Sequence, residues 1–161
     1  MSNPALPVKI ALVSPDIPVP AYKSDGAACF DFNAHLRPEQ ICPEHNALVI
    51  PPGGIADVGI GLIFEIPKGW RLDVHSRSGT WFGHRVRAAA QGRGTIDSDF
   101  RGEVVVSVEN RGQEPFLIKQ GDRIAQGELN QVTQAAFTVM DLEDLSKTNR
   151  GAGGFGSTGS N

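Results

Sequence analysis

Two carboxylates stand two residues apart in Gly94-Thr95-Ile96-Asp97-Ser98-Asp99-Phe100-Arg101-Gly102-Glu103, beside an apolar and an aromatic residue and between glycines at 94 and 102. The stretch runs on into Val104-Val105-Val106-Ser107-Val108, a β-branched run. This composition predicts a turn or hairpin arm that enters a buried strand. A carboxylate there sits at the edge of a rigid sheet, where a catalytic group is well held. The same residues also describe an acidic surface turn, so the rest of the chain has to decide.

Other stretches carry chemistry of a different kind. Asn149 to Asn161 sets one arginine, Arg150, and one aromatic, Phe155, among five glycines, followed by Ser157-Thr158. Glycines leave backbone N–H groups free to approach an anion, and a run of them makes a nest. Arg150 brings a planar charge suited to phosphate, and Phe155 a face on which a planar ring can stack. Such a tail either closes over a nucleotide or is a plain disordered terminus. Arg77-Ser78-Gly79 combines charge, hydroxyl and accessible backbone in the same way, or is a surface loop. Gln126 is a neutral donor for a phosphate, or a turn cap. Asp31 is a solvated strand residue or a site carboxylate. The pattern G-x-x-x-x-G-K-[ST] is absent, which excludes a P-loop NTPase.

The elements that must position these groups are short strands. Val8 to Val13 predicts a first strand, and Pro15, Pro18 and Pro20 forbid regular pairing after it. Ala28 to Ala34 alternates with period two, with Phe30 and Phe32 on one face and Asp31 and Asn33 on the other. Strand-rich runs follow at Ala47 to Ile50, Ile55 to Ile66, Trp70 to His75 and Val86 to Ala90, with one helical turn over Thr80 to Gly83. Phe116 to Ile118 and Arg123 to Gln126 flank a turn, and Ala136 to Met140 predicts a last strand. The reading divides the chain into a β domain over 1–140 and an acidic linker with a closing arm over 141–161.

With 161 residues the chain holds one domain with a real core. Nineteen glycines and eleven prolines, scattered throughout, favour many short strands over long helices. A net charge of -3 gives no reason to expect binding to nucleic acid or membranes, so a polyanionic ligand would need positive charge gathered locally. No apolar run approaches the ~18 residues of a membrane span, and no signal peptide opens the chain. Cys29 and Cys42 lack a C-x-x-C partner, and no zinc-type spacing emerges with the four histidines. Cys29 reads as a small core residue, and the whole as a protein of a reducing, cytoplasmic compartment.

In order and spacing, these pieces resemble the five motifs of the homotrimeric dUTPases. Gly26 to Ala34 resembles the first, Ser76-Arg77-Ser78-Gly79 the second, and Gly94 to Gly102 the third. Gly121 to Gln126 is similar to the fourth, and Arg150 to Gly159 to the fifth. The resemblance implies an all-β, dUTPase-like jelly roll with a flexible Gly-rich C-terminal arm, assembled as a closed threefold trimer. It implies hydrolysis of dUTP to dUMP and pyrophosphate with Mg²⁺ on the triphosphate, limiting uracil in DNA and supplying dUMP for thymidylate synthesis. By the same analogy Asp97 orients and deprotonates the attacking water. Arg77, Ser78, Gly79 and Gln126 hold phosphates, and Asp31 acts on the water shell of the metal without ligating it directly. Gln91, Thr95, Ile96 and Val105 belong to the hairpin and strand that read uracil, while Phe155 stacks on the base. Arg150, Gly154, Ser157 and Thr158 belong to the closing tail.

The chain departs from the family in places. The third motif usually carries Tyr where Phe100 stands; that ring packs on deoxyribose and leaves no room for a 2′-hydroxyl. Ser76 replaces the more usual Pro. Glu109 occupies a position expected to be apolar or aromatic and is expected to face solvent. Two rivals share the fold: a dCTP deaminase, and a dUTPase-like binding or regulatory protein. The first would carry a glutamate where this chain has Ser107, and the second need not keep Asp97, Arg77 and Arg150.

Overall fold

Alternation along the strands decides which way the sheets face. The computed structural model describes residues 5–88 and 94–154. Its strands are β1 (Lys9–Leu12), β2 (Phe30–Asn33), β3 (Leu48–Ile50), β4 (Ile55–Gly59), β5 (Leu62–Glu65) and β6 (Trp70–His75). After one short helix, α1 (Ser78–His84), come β7 (Val86–Ala88), β8 (Gly94–Ile96), β9 (Val105–Asn110), β10 (Phe116–Ile118) and β11 (Arg123–Gln131). All pairings are antiparallel: a four-stranded sheet β2-β11-β6-β8, a three-stranded sheet β4-β9-β7, and the pairs β1-β5 and β10-β3.

Phe30, Phe32, Leu72 and Val74 point from the four-stranded sheet into one core with Val58, Val86, Ala88, Val106 and Val108 of the three-stranded sheet. Phe32 meets Phe30 and Phe64 edge to face, at ring separations of 5.4 and 6.0 Å. A one-residue slip of β2 would turn both rings into water, so the register is strongly specified.

Several expected elements shift. Ile55 to Ile66 is two strands, because Gly61 adopts φ +70°, a conformation that L side chains rarely take. The helical turn extends over Ser78–His84, and the strand starting at Arg123 runs on to Gln131. The strand expected over Ala136 to Met140 does not form; that backbone pairs with no strand, with Phe137 94% and Val139 98% exposed. Its β-branched and aromatic residues express strand propensity, but it pairs with no sheet edge among the described residues. Cys29 is half-buried just before β2, outside the core cluster.

The polar face of the four-stranded sheet hides a carboxylate. Asp73, fully buried, accepts from Arg71 Nε at 3.0 Å on both oxygens, from Thr95 Oγ1 at 3.1 Å and from Asn130 Nδ2 at 2.8 Å. Burial pushes its pKa up. Donors from Arg71, Asn130 and Thr95, with the Arg71 charge, more than reverse this and hold it below the usual carboxylate range. These bonds tie β6 to β8 and β11. Asp73→Ala is expected to cost about 3 kcal/mol in urea unfolding, by stranding these donors. A depressed folded pKa stabilises above the unfolded value of about 3.9, and that stability disappears as pH falls through the folded value. The stability gap between wild type and Asp73→Asn should therefore be full at neutral pH and close in acid. A gap that persists undiminished in acid would mean that ionisation of Asp73 contributes nothing.

Candidate active site

Strand register gathers residues that are far apart in sequence. Asp31 of β2 stands opposite Gln126 of β11, and Gln126 opposite His75 of β6. Arg77 follows two residues after His75, and so reaches the same end of the sheet. Its Nε donates to Asp31 Oδ1 at 2.9 Å, and Arg123 Nη1 donates to Asp31 Oδ2 at 3.1 Å. Arg77 Nη1 also reaches the Arg123 carbonyl at 3.4 Å, while Gln126 Nε2 donates to the Ser76 carbonyl at 3.1 Å. Two guanidinium groups face one carboxylate, so the cluster keeps an excess positive charge. Ser78 and Gly79, both exposed, lie beside it at the start of α1. Arg77, Gly79, Thr80 and Arg123 line a cavity of about 550 Å³. Asp122 on the same cavity wall offsets part of this charge, so it is the two arginines themselves that could meet a polyanion on a chain of net charge -3.

The paired acids lie elsewhere on the subunit. β8 pairs with β6 from Leu72↔Ile96 to Val74↔Gly94, and Asp97 follows directly on its end. A turn closes there, with the Phe100 N–H donating to the Asp97 carbonyl at 3.2 Å. Arg101 Nη1 clamps the turn by donating to the Ser98 and Phe100 carbonyls, each at 2.8 Å. Asp97 is exposed and lines a cavity of about 730 Å³ with Lys68, Trp70, Asp99 and Arg101. The Phe100 ring, 43% exposed, lies over Gly102, where an added Cβ would stand 2.5 Å from its Cζ. Glycine is needed at 102 because that ring occupies the space a side chain would take. Thr95 is exposed yet tied to Asp73, Ile96 packs against the core, and Val105 is half-exposed on β9.

The two cavities share no lining residue. Within one chain, then, the fold joins Asp31, Arg77 and Gln126 and holds Asp97 apart from them. In the tail, Arg150 Nε donates to the Gly153 carbonyl at 2.9 Å, and both Arg150 and Gly154 are exposed. Gln91, Phe155, Ser157 and Thr158 lie outside the described residues.

The family is decided by comparison. The dUTPase family model matches residues 16–159, which takes in all five motif segments. The chain belongs to the dUTPase family. Among curated dUTPase relatives, a deoxyuridine 5'-triphosphate nucleotidohydrolase of Caulobacter vibrioides is 43% identical over 144 residues, covering 89% of this chain and 87% of that one. One from Rhizobium etli is 46% identical over 141 residues, covering 88% and 85%. In fold, the chain is similar to the Staphylococcus bacteriophage 80alpha dUTPase solved with dUPNHPP, at TM-score 0.79 and 20% identity, covering 97% of this chain and 100% of that one. The all-β dUTPase jelly roll expected from the sequence is the architecture observed.

Some residues of this dUTPase fold were not singled out from sequence. Arg123 shares Asp31 with Arg77, and its place three residues before Gln126 was the available signal. Asp73 had no signal, since Trp70 to His75 reads simply as alternation. Glu109 is not solvent-facing: it lies between Arg87, at 2.6 Å, and Arg111, at 3.1 Å. The Arg87 hydrogen bond, outweighing desolvation, holds its carboxyl below the usual range. The expectation failed because β7 sets Arg87 directly opposite Glu109 on β9, a cross-strand pairing that depends on tertiary register.

Proposed function

We propose that this chain hydrolyses dUTP to dUMP and pyrophosphate as a homotrimer of β domains over 1–140, each with a closing arm over 141–161. The observation that carries the reading is the family match over residues 16–159, with a positively charged Asp31–Arg77–Arg123 cluster at the segments expected to take phosphate. Curated relatives bear the name of this activity, and a phage neighbour was solved with a dUTP analogue. In the reaction Asp97 takes a proton from water as its oxygen bonds to the α-phosphorus. The bond from that phosphorus to the bridging oxygen breaks, and pyrophosphate leaves with the electron pair. Arg77, Ser78, Gly79 and Gln126 hold the phosphates. Thr95, Ile96, Val105 and Gln91 frame uracil, with Phe155 stacking on it. Arg150, Gly154, Ser157 and Thr158 close the tail over the γ-phosphate.

Shared sites explain why Asp97 and Arg77 line separate cavities of one subunit: each cavity is part of a site completed by a neighbour. The exposed Phe137 and Val139 fit the same assembly, because apolar side chains left uncovered in one chain can be buried against a second copy. Mg²⁺ fits here as an outer-sphere guest. Asp31 already accepts from two guanidinium groups, which disfavours direct ligation, while its remaining lone pairs suit hydrogen bonds from a hydrated cation. Bound on the triphosphate, the ion neutralises phosphate charge. The two free cysteines accord with a reducing, cytoplasmic setting, and no helix among the described residues is long and apolar enough to cross a membrane.

The deaminase reading is disfavoured because Ser107 stands where that chemistry uses a carboxylate, and its hydroxyl is engaged by Asp57. Pyrophosphate release from dUTP, dTTP, UTP and dCTP, with and without Mg²⁺, tests the proposal. Release should be strongest from dUTP with Mg²⁺; ammonia from dCTP without pyrophosphate from dUTP would reverse it.

Sugar selectivity gives a sharper expectation. The Phe100 ring lies over Gly102, and as a ring it excludes a 2′-hydroxyl by volume with no need of a phenol oxygen. Wild type should reject UTP, Phe100→Ala should admit it, and Phe100→Tyr should change selectivity only modestly. Steady-state kinetics on UTP and dUTP provide the check, and wild-type efficiencies that are similar for the two would end the steric argument.

A further inference from the structure

The turn between Gln40 and β3 brings three metal-binding side chains together, away from both cavities. One donor atom from each of Cys42, Glu44 and His45 lies within 4.8 Å of the others, the one such grouping of three among the described residues. The three side chains do not follow a paired C-x-x-C spacing but sit at i, i+2 and i+3 of a single turn.

The turn is held from both sides. Ile41 packs against the core before it, and Ala47, fully buried, anchors the chain after it. The Cys42 N–H donates to the Ala47 carbonyl at 2.9 Å, and the His45 N–H donates to the Cys42 carbonyl at 3.2 Å. Pro43 restricts the backbone within the turn, and Asn46, at φ 47°, closes it in the left-handed region. The backbone that carries the three ligands is thus fixed before any ion arrives. Tetrahedral coordination with bonds of about 2.0–2.3 Å sets ligand atoms about 3.3–3.7 Å apart. Cys42 is half-buried, while Glu44 and His45 are exposed, so solvent can supply the fourth ligand.

We infer that Cys42, Glu44 and His45 form a binding site for a borderline-soft divalent ion of the zinc or cobalt class. A thiol and an imidazole select such ions over Mg²⁺, which prefers oxygen ligands. On binding, the Cys42 thiol gives its proton to solvent, and sulfur, imidazole nitrogen and carboxylate oxygen each donate an electron pair to the ion. The site is separate from the proposed chemistry at Asp97, and so is independent of substrate.

Cobalt alone is the probe, titrated into the reduced, untagged full-length protein. A near-ultraviolet thiolate-to-cobalt charge-transfer band should grow and saturate at one ion per chain, and zinc should abolish it. Cys42→Ser should remove the band and Cys29→Ser should leave it. Glu44→Ala and His45→Ala should weaken the apparent affinity about tenfold or more. Turnover of dUTP should be unchanged in Cys42→Ser, so a failure of the hydrolase reading would show separately. No band, a band that survives Cys42→Ser, or one lost in Cys29→Ser would each overturn the inference.

Discussion

Asp97→Asn is expected to bind dUTP about as well as wild type and to lose most of its turnover. The amide keeps the size and shape of the side chain on its Arg101-clamped turn, but it cannot take a proton from water. General-base catalysis contributes typically about 10²–10⁴-fold, or roughly 3–5 kcal/mol of barrier. Turnover in single-cycle kinetics should fall by that order while Kd for a non-hydrolysable dUTP analogue holds. Loss of turnover and affinity together would point to a structural role for Asp97, and near-normal turnover would remove it from the mechanism.

Mixed trimers are expected to recover activity that neither parent has. One parent is Asp97→Asn with its tail intact; the other keeps Asp97 and ends at Lys147, which removes Arg150 and all that follows. Each homotrimer lacks one component at every site. Among the described residues, the backbone from Val132 to Gly154 belongs to no strand, and extended residues span up to about 3.5 Å each, so the tail can reach a neighbour. After unfolding and refolding in equal amounts, each site draws Asp97 from one subunit and its tail from another. Each draw is right about half the time, so roughly a quarter of sites are complete with random assembly. Activity should return near that fraction of wild type. Verified mixed trimers as inactive as their parents would require Asp97 and the tail to act within one chain, and would overturn the shared-site reading.

The segments proposed for the site could be picked out from sequence because they come as local packets. Gly94 to Gly102, Arg77-Ser78-Gly79 and the glycine tail each carry their composition within a few residues, and their order along the chain carried the family. The all-β architecture was legible for a similar reason: period-two alternation in Phe30 to Asn33 and Trp70 to His75 is a local consequence of the pleat. What tertiary structure alone decided is which packets meet. Antiparallel register set Asp31 against Gln126 and brought Arg77 and Arg123 onto one carboxylate, across sequence gaps that no local pattern spans. The same register set Thr95 and Asn130 as donors onto buried Asp73 and matched Glu109 with Arg87, so residues that read as solvated strand positions became internal ties. Propensity marked Ala136 to Met140 as a strand, yet a strand needs an edge to pair with, and among the described residues that segment pairs with none. Residue types and spacing set local conformation and chemical capacity; contact between distant segments depends on how sheets pair and bury their apolar faces, a property of the whole chain.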